Sequence, residues 1–350
     1  MSISHSFSAP LSPARLADGM ITASQNGAHI INNSWSTGVF YQVIDDAINQ
    51  ITVTGRNNLG VIVVQSVGNG NQSTVRYPSN NPRVIAVGAS NMLNQRKSTS
   101  SNDGDNSWGS NYGQGLDVVA PVLYIPSTDR QGNNGFNTNS TPNEYSNRDF
   151  TNKFKGTSAA APHVSGIAAL ILSLNPNFTA TQVKNIIESS SDKFSGYSFS
   201  LGAGENAMLT WNSEVGYGKV NAYLALLEAV KVLIQGPNFL CSTNSFTFQN
   251  LPAGYTVSSW AVTPTRLFSG PTSGTGSSAT LTPYHTNTGG QATITFSIAT
   301  PCGLIQIPRT FWVGKPVVPG AITGNTNPGP GSLTPYYINN HYCPTKIVYS

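Results

Sequence analysis

Charged side chains are scarce in this chain. Asp, Glu, Lys and Arg make up 9% of its 350 residues, against roughly 25% in an average globular protein. The net charge is +4, and the sequence contains no block of Lys or Arg. A protein that binds a nucleic-acid backbone needs a basic stripe on its surface. We therefore predict that nucleic acid is not a partner.

Long hydrophobic runs are also missing. No apolar run reaches the roughly 18 residues that a membrane helix needs, so we predict no membrane span. The opening stretch, MSISHSFSAPLSPARLADG, lacks the apolar core of about 7–15 residues that a signal peptide has. Asn, Ser, Thr and Gly replace the charged residues, as in many secreted bacterial proteins. We expect a secreted or cell-surface bacterial protein whose export signal lies in an N-terminal segment outside this sequence.

Cysteine is rare and confined to the last third of the chain, at Cys241, Cys302 and Cys343. None of the three shows the paired short spacing of a zinc site. No cluster of Asp and Glu has the spacing of a calcium loop, so the sequence predicts no metal site and no cofactor. A Cys241–Cys302 disulfide and two buried free thiols stay open as alternatives, with Cys343 left over in the first case.

Helical and strand patterns alternate over the first two thirds of the chain. Apolar residues recur at helical spacing between Val43 and Ile51, and β-branched runs follow at 61–67, 84–90 and 116–121. Continuous apolar runs of this kind are typical of strands buried on both faces. The alternation predicts an α/β fold, a mostly parallel sheet flanked by helices.

Two later segments predict further helices. The run VSGIAALILSL at 164–174 is apolar nearly all round, so we expect a central helix that is buried on every side. Thr179 and Gln182 have the spacing of a capping box, which predicts the start of the next helix.

The pattern changes near residue 234. From there to about residue 316, short alternating segments such as FTFQNL and ATITFSIAT are separated by turn residues. This pattern predicts a β-sandwich over 234–316, after a first domain over 1–233. A Pro- and Gly-rich stretch follows, so 317–350 is predicted to be a linker or the truncated start of another module.

The segment GTSAAAPHVSG at 156–166 has the features that a serine nucleophile needs. Ser158 lies where a loop enters the predicted buried helix, and Gly156 allows close backbone approach. Amides at a helix N-terminus favour nearby negative charge, so the Ser158 N–H can point at an oxyanion. For a bare Gly-Thr-Ser the alternative is an ordinary Ser at a helix start.

Extended to GTSAAAPHVSGIAALILSLNP, this segment resembles the serine signature of the subtilisin family. VIVVQSVGNGNQSTVRYPSNNPRVIAVGAS is similar to the family's oxyanion-asparagine region, and the similarity covers roughly residues 14–230. The resemblance implies a subtilisin-like, N-terminally incomplete domain of a serine endopeptidase that acts on polypeptides. It implies Ser158 as the nucleophile and Asn69 as the side-chain oxyanion donor; a plain Gly-Asn-Gly turn is the alternative for Asn69. By the same comparison the substrate cleft is lined by Ser34, Trp35, Ser36, Ser66, Val67 and Gly68.

The partners that Ser158 needs are not found in the sequence. The family order is Asp, then His, then Ser, and the histidine opens a His-Gly-Thr motif. None of the five histidines here precedes a glycine. We expect the catalytic Asp and His in a lost N-terminal segment. The resemblance also implies a calcium ion, for which no site is identified.

A catalytically dead pseudoprotease is the alternative hypothesis. The stretch from GPNFLCSTNSF to FWVGKP resembles the immunoglobulin-like modules of bacterial secreted enzymes. Under this hypothesis the all-β sandwich is the working part, as a surface adhesion or spacer module.

We expect this 350-residue chain to react weakly with a fluorophosphonate probe, because no base is available to activate Ser158. In subtilisin itself, loss of the histidine costs about 10⁶ in turnover. Mass spectrometry of the labelled peptide measures the reaction, with Ser158→Ala as the control. Strong labelling that depends on Ser158 would reveal a base that the motifs do not show.

Overall fold

The fold is described from a computed structural model of the chain. The structure describes residues 12–138, 144–201, 203–249, 251, 254–284, 289–300 and 303–314. The chain divides into two units, Met1–Ala229 and Val230–Ser350. The predicted boundary between residues 233 and 234 falls just after this division. The predicted linker or module at 317–350 lies outside the described residues.

The first unit alternates helices and strands. Its helices are α1 (Pro13–Gln25), α2 (Gln42–Asn58), α3 (Thr157–Leu174), α4 (Ala180–Ser189) and α5 (Ala222–Val232), which crosses the division between the units. Its strands are β1 (Ile30–Asn33), β2 (Ile62–Ser66), β3 (Ile85–Ser90), β4 (Val118–Pro121), β5 (Ile125–Thr128), β6 (Phe150–Phe154), β7 (Ser200–Leu201) and β8 (Thr210–Trp211).

Strands β1 to β4 form one parallel sheet in the order β1-β2-β3-β4. Strands β2 and β3 are buried along their whole lengths. Because both faces of these strands are covered, their sequences read as continuous apolar runs rather than alternating ones. The predicted α/β fold with a mostly parallel sheet is confirmed, and so is the capping box between Thr179 and Gln182 at the start of α4.

Helix α3 packs on all four strands of this sheet. Alanines 159–161 in its first turns are fully buried, so their small side chains allow a close approach to the strands. The prediction that α3 is buried on every side is wrong for one face. Leu170 is 47% exposed, and Pro162, Gly166 and Ala169 are exposed with it, because no element within the described ranges covers them.

The two edges of the parallel sheet differ. Beside β4, the Val119 N–H donates to the Gly218 carbonyl at 2.9 Å and the Val220 N–H to the Val119 carbonyl at 3.0 Å. In contrast, no strand in the described part of the chain pairs with the outer edge of β1. The Ser165 hydroxyl of α3 donates to Asn32 Oδ1 of β1 at 3.0 Å. The exposed face of α3 therefore adjoins the open edge of β1.

Helix α3 is also the one helix of the described ranges with the length and mean hydropathy of a membrane span. Half of it is buried inside the protein, which is typical of a core helix. The predicted absence of a long enough apolar run therefore does not hold for α3, and the absence of a membrane span stays a prediction.

The second unit is all-β over its described residues. Its strands are β9 (Ile234–Gln235), β10 (Phe239–Leu240), β11 (Asn244–Phe248), β12 (Thr256–Thr263), β13 (Phe268–Ser269), β14 (Ser273–Thr275), β15 (Ser278–Pro283), β16 (Gly290–Thr300) and β17 (Gly303–Val313). They form two sheets, in the orders β10-β17-β16-β12-β14 and β13-β15-β11-β9.

Aromatic rings from these two sheets meet. The ring centroids of Phe246 and Phe311 are 4.3 Å apart, and those of Phe248 and Phe296 are 5.7 Å apart. Cys241 is disulfide-bonded, which excludes a free thiol there; the other two cysteines lie outside the described residues. An immunoglobulin-like module remains a prediction.

A buried ion cluster ties α4 to the parallel sheet. Lys184 Nζ lies 3.0 Å from Asp117 Oδ2 and 3.1 Å from Glu205 Oε2, and Glu188 is one turn further along α4. Three carboxylates therefore face one ammonium. Burial raises the pKa of Glu188 to about 8 and that of Asp117 to about 6. The cluster consequently keeps a proton near neutral pH.

Glu188→Gln should flatten the pH dependence of the free energy of unfolding between about pH 5 and about pH 8. A carboxyl whose pKa rises on folding stabilises the native state at low pH, and this stability is lost as the pH rises through its folded pKa. One such group contributes at most about 1.4 kcal/mol per pH unit. Urea titrations across this range measure the slope. Thr181→Ala, an uncharged change at an exposed position of α4, should keep the wild-type slope, and an unchanged slope in E188Q would contradict the assignment.

Candidate active site

Ser158 lies where the loop after β1 meets the first turn of α3. Its hydroxyl donates to the Ser34 carbonyl at 3.2 Å, and the Ser34 hydroxyl donates to the Ser158 carbonyl at 2.9 Å. Ser158 is only half-buried, so solvent reaches it. Its N–H is among the first amides of α3, which have no acceptor inside the helix. The residue therefore presents a hydroxyl and a main-chain donor together.

Asn69, in the loop after β2, is held by the same helix end. Its Oδ1 accepts hydrogen bonds from the Thr157 N–H at 2.8 Å and from Thr157 Oγ1 at 2.9 Å. These two bonds orient the amide plane. Within the described part of the chain Asn69 Nδ2 donates to no protein acceptor, and the side chain is exposed. A second N–H donor is thus fixed beside Ser158.

Two glycines make this approach possible. Gly156 has a φ of +95°, and a Cβ there would lie 3.2 Å from Asn69 Nδ2. Gly68 has a φ of +101°, and a Cβ there would lie 2.9 Å from Asn111 Nδ2. Both positions therefore need glycine for its left-handed backbone and for the space it leaves.

Asn111 fixes the path of the loop that carries Asn69. It is fully buried, and its Oδ1 accepts the N–H groups of Gly70 at 2.9 Å and Gln72 at 3.1 Å. Its own N–H donates to the Gly68 carbonyl at 2.9 Å. Asn111 was not predicted as a site residue, because no motif in the sequence links it to residues about forty positions earlier.

A cavity of about 410 Å³ lies beside Ser158 and Asn69, which both line it. Of the residues predicted to line the substrate cleft, five also line this cavity: Ser34, Trp35, Ser36, Ser66 and Gly68. Val67 does not, because its side chain is fully buried in the core. The Trp35 side chain packs against a hydrophobic cluster under α1 and α2.

Neither described histidine is placed as a base for Ser158. His163 Nδ1 lies 2.8 Å from the carbonyl oxygen one turn earlier in α3. His29 is exposed just before β1. No described histidine or carboxylate lines the cavity. Three further histidines lie outside the described residues, at His5, His285 and His341.

The calcium ion implied by the family resemblance finds no fitting ligand set among the described side chains, since no group of three His, Cys, Asp or Glu there is placed to hold a metal ion. The three carboxylates around Lys184 already face its ammonium. Asp103 and Asp105 pair with Lys97 and Lys155. Asp129 accepts backbone amides of its own loop. We assign no chemical step to calcium.

Comparison with known proteins decides the family. The sequence model of the subtilase family matches residues 5–218. The chain belongs to the subtilase family. That match includes Asn69, Asn111 and Ser158, so these residues of the candidate active site lie within the matched family domain.

Several curated relatives are about one third identical to this subtilase over the aligned regions. The subtilisin of Bacillus pumilus is 36% identical over 197 residues, which are 54% of this chain and 58% of the relative. The calcium-dependent protease of Nostoc sp. is 34% identical over 235 residues, 60% of this chain and 33% of the relative. Alkaline elastase YaB of Bacillus sp. is 33% identical over 170 residues, 49% of this chain and 36% of the relative. The chain thus spans about a third to just over half of these relatives.

Solved structures of proteases also match. The match to a protease structure from Pseudoalteromonas arctica covers 62% of this chain and 58% of the chain in that structure, with 29% sequence identity and a TM-score of 0.46. The match to the prenylagaramide maturation protease PagA covers 63% of this chain and 68% of the PagA chain, with 26% sequence identity and a TM-score of 0.44. The family assignment rests on the sequence match and not on these superpositions.

Asn111→Ala should loosen the loop that carries Asn69. It removes the side-chain acceptor of the Gly70 and Gln72 N–H groups, and each lost hydrogen bond costs about 0.5–1.5 kcal/mol of stability. We expect faster amide hydrogen exchange at Gly70 and Gln72 than in the wild-type chain. Ser73→Ala, at an exposed position of the same loop, is the control. Unchanged exchange in N111A would mean that Asn111 does not hold the loop.

Proposed function

We propose that this subtilase carries the nucleophile and the oxyanion donors of a serine endopeptidase. Ser158 Oγ attacks the carbonyl carbon of the scissile peptide bond. The Asn69 Nδ2 and Ser158 N–H groups donate to the oxygen that becomes negative. The observation that carries the proposal is the pair of hydrogen bonds from Thr157 to Asn69 Oδ1, which leaves Nδ2 free beside Ser158.

The attack also needs a base, and we infer that polypeptide outside the described residues supplies the catalytic histidine and aspartate. The open edge of β1 and the exposed face of α3 support this inference, because such surfaces are normally covered. A further parallel strand beside β1 would end at the same edge of the sheet as Ser34 and Asn69. Its following loop would then reach Ser158.

The substrate is proposed to be an extended polypeptide in the cavity beside Ser158. The two segments that wall this cavity, 34–36 and 66–70, lie at the carboxyl ends of the neighbouring strands β1 and β2. The acyl-enzyme forms when the histidine returns the proton to the leaving amine, and water then releases the acid product.

We further propose that the protein is secreted or displayed on the bacterial surface. The disulfide at Cys241 supports this location, since disulfides persist in oxidising compartments.

A pseudoprotease whose second unit serves as an adhesion or spacer module is the second candidate. One observation favours it: Ser158 Oγ donates to a main-chain carbonyl rather than to an imidazole.

The protein encoded by the complete reading frame around this sequence should hydrolyse casein. Ser158→Ala should lower kcat by about 10⁶ and Asn69→Ala by about 10²–10³, the losses measured in subtilisin itself. Asn71→Ala, whose side chain contacts Arg96 and Thr99 outside the cavity, is the control and should stay near wild type. A reading frame without Asp-Ser/Thr-Gly and His-Gly-Thr, or the absence of casein hydrolysis by the wild-type protein, would support the pseudoprotease instead. Hydrolysis that survives S158A would contradict the assignment of Ser158 as the nucleophile.

A further inference from the structure

Arg76 is the one charged side chain among the described residues that line the cavity beside Ser158. Its main-chain N–H donates to the Val67 carbonyl at 3.2 Å, which ties it to the loop that carries Asn69. A Cβ at Gly68 would lie 3.1 Å from Arg76 Cδ. Glycine at this position therefore lets the aliphatic part of Arg76 lie along the cavity wall.

The Arg76 guanidinium has no protein partner within the described ranges. Arg96 and Arg309 show the contrast, because the fold engages their side chains. Arg96 bonds to Glu214, Asn71 and a main-chain carbonyl, and Arg309 bonds to two carbonyls and an amide. Arg76 is exposed and forms no such bonds. Its five N–H donors are thus available to a bound molecule.

The surroundings of Arg76 leave its charge uncompensated. The other described side chains that line the cavity are hydroxyls, the Asn69 amide and Trp35, so no carboxylate offsets the guanidinium. Trp35 packs against the core cluster and its carbonyl accepts from Gln65 Nε2. A cavity wall with a single positive charge attracts a negative side chain and repels a positive one.

We propose that Arg76 makes this subtilase prefer substrates with a Glu or Asp side chain in the cavity beside Ser158, at the residue whose carbonyl is attacked. The guanidinium holds the carboxylate through paired N–H···O hydrogen bonds. This inference rests on the proposed peptidase function, because it assigns the cavity to a substrate side chain.

Peptide binding to the intact chain tests the inference without requiring turnover. NMR titrations would use acetyl-Ala-Ala-Pro-Xaa-amide with Xaa as Glu, Gln or Lys, so that the side chain is the only carboxylate. We expect the Glu peptide to bind about 10-fold more tightly than the Gln peptide, as for a charge-assisted hydrogen bond in a partly open site. The Lys peptide should bind more weakly than both. Raising NaCl from about 0.05 M to about 0.5 M should reduce the preference.

In Arg76→Gln, the affinities for the Glu and Gln peptides should be nearly equal. Arg76→Lys keeps the positive charge but loses the paired N–H donors of the guanidinium, so it should still bind the Glu peptide about 3-fold more tightly than the Gln peptide. Circular dichroism melts check that both variants fold. A Glu preference that survives R76Q, or equal binding of all three peptides to the wild-type chain, would overturn the role of Arg76 and leave the proposed peptidase intact. If no peptide perturbs the amides of Ser158 or Asn69 up to about 10 mM, the proposed function fails and this inference with it.

Discussion

The candidate site depends on one side-chain amide. Thr157, the first residue of α3, gives both its N–H and its hydroxyl to Asn69 Oδ1. Those two bonds join the loop after β2 to the helix that carries Ser158. They also decide the direction of the amide, because an oxygen with two donors leaves only Nδ2 to face the cavity. Gly156 allows the contact, since any larger residue would press on that nitrogen.

Burial accounts for what could be predicted from the sequence. Strands β2 and β3 are covered on both faces, so the β-branched runs that encode them carry no alternation and are easy to recognise. The start of α4 was predictable for a local reason, since Thr179 and Gln182 bond each other's backbone. Ser158 and Asn69 were found through the motifs around them, where neighbours in sequence fix the local backbone.

Features that depend on distant chain segments were not predictable. Asn111 and Arg76 act through loops whose course only the folded chain defines. Helix α3 was predicted to be buried on every side, but one face is exposed. An apolar composition shows that a helix surface tends to be covered, but it does not show which element covers it. Trp35 could be assigned to the cleft by position, but the direction in which its ring packs depends on the cluster under α1 and α2.

A crystal structure of the protein from the complete reading frame with a peptide boronic acid is the decisive measurement for this site, because boron bonded to a serine oxygen imitates the tetrahedral intermediate. We expect a covalent bond to Ser158 Oγ, with one boronate oxygen within about 2.7–3.1 Å of Asn69 Nδ2 and the Ser158 nitrogen. Boron bound to another residue, or an oxygen turned away from Asn69 while Thr157 still holds its Oδ1, would contradict it.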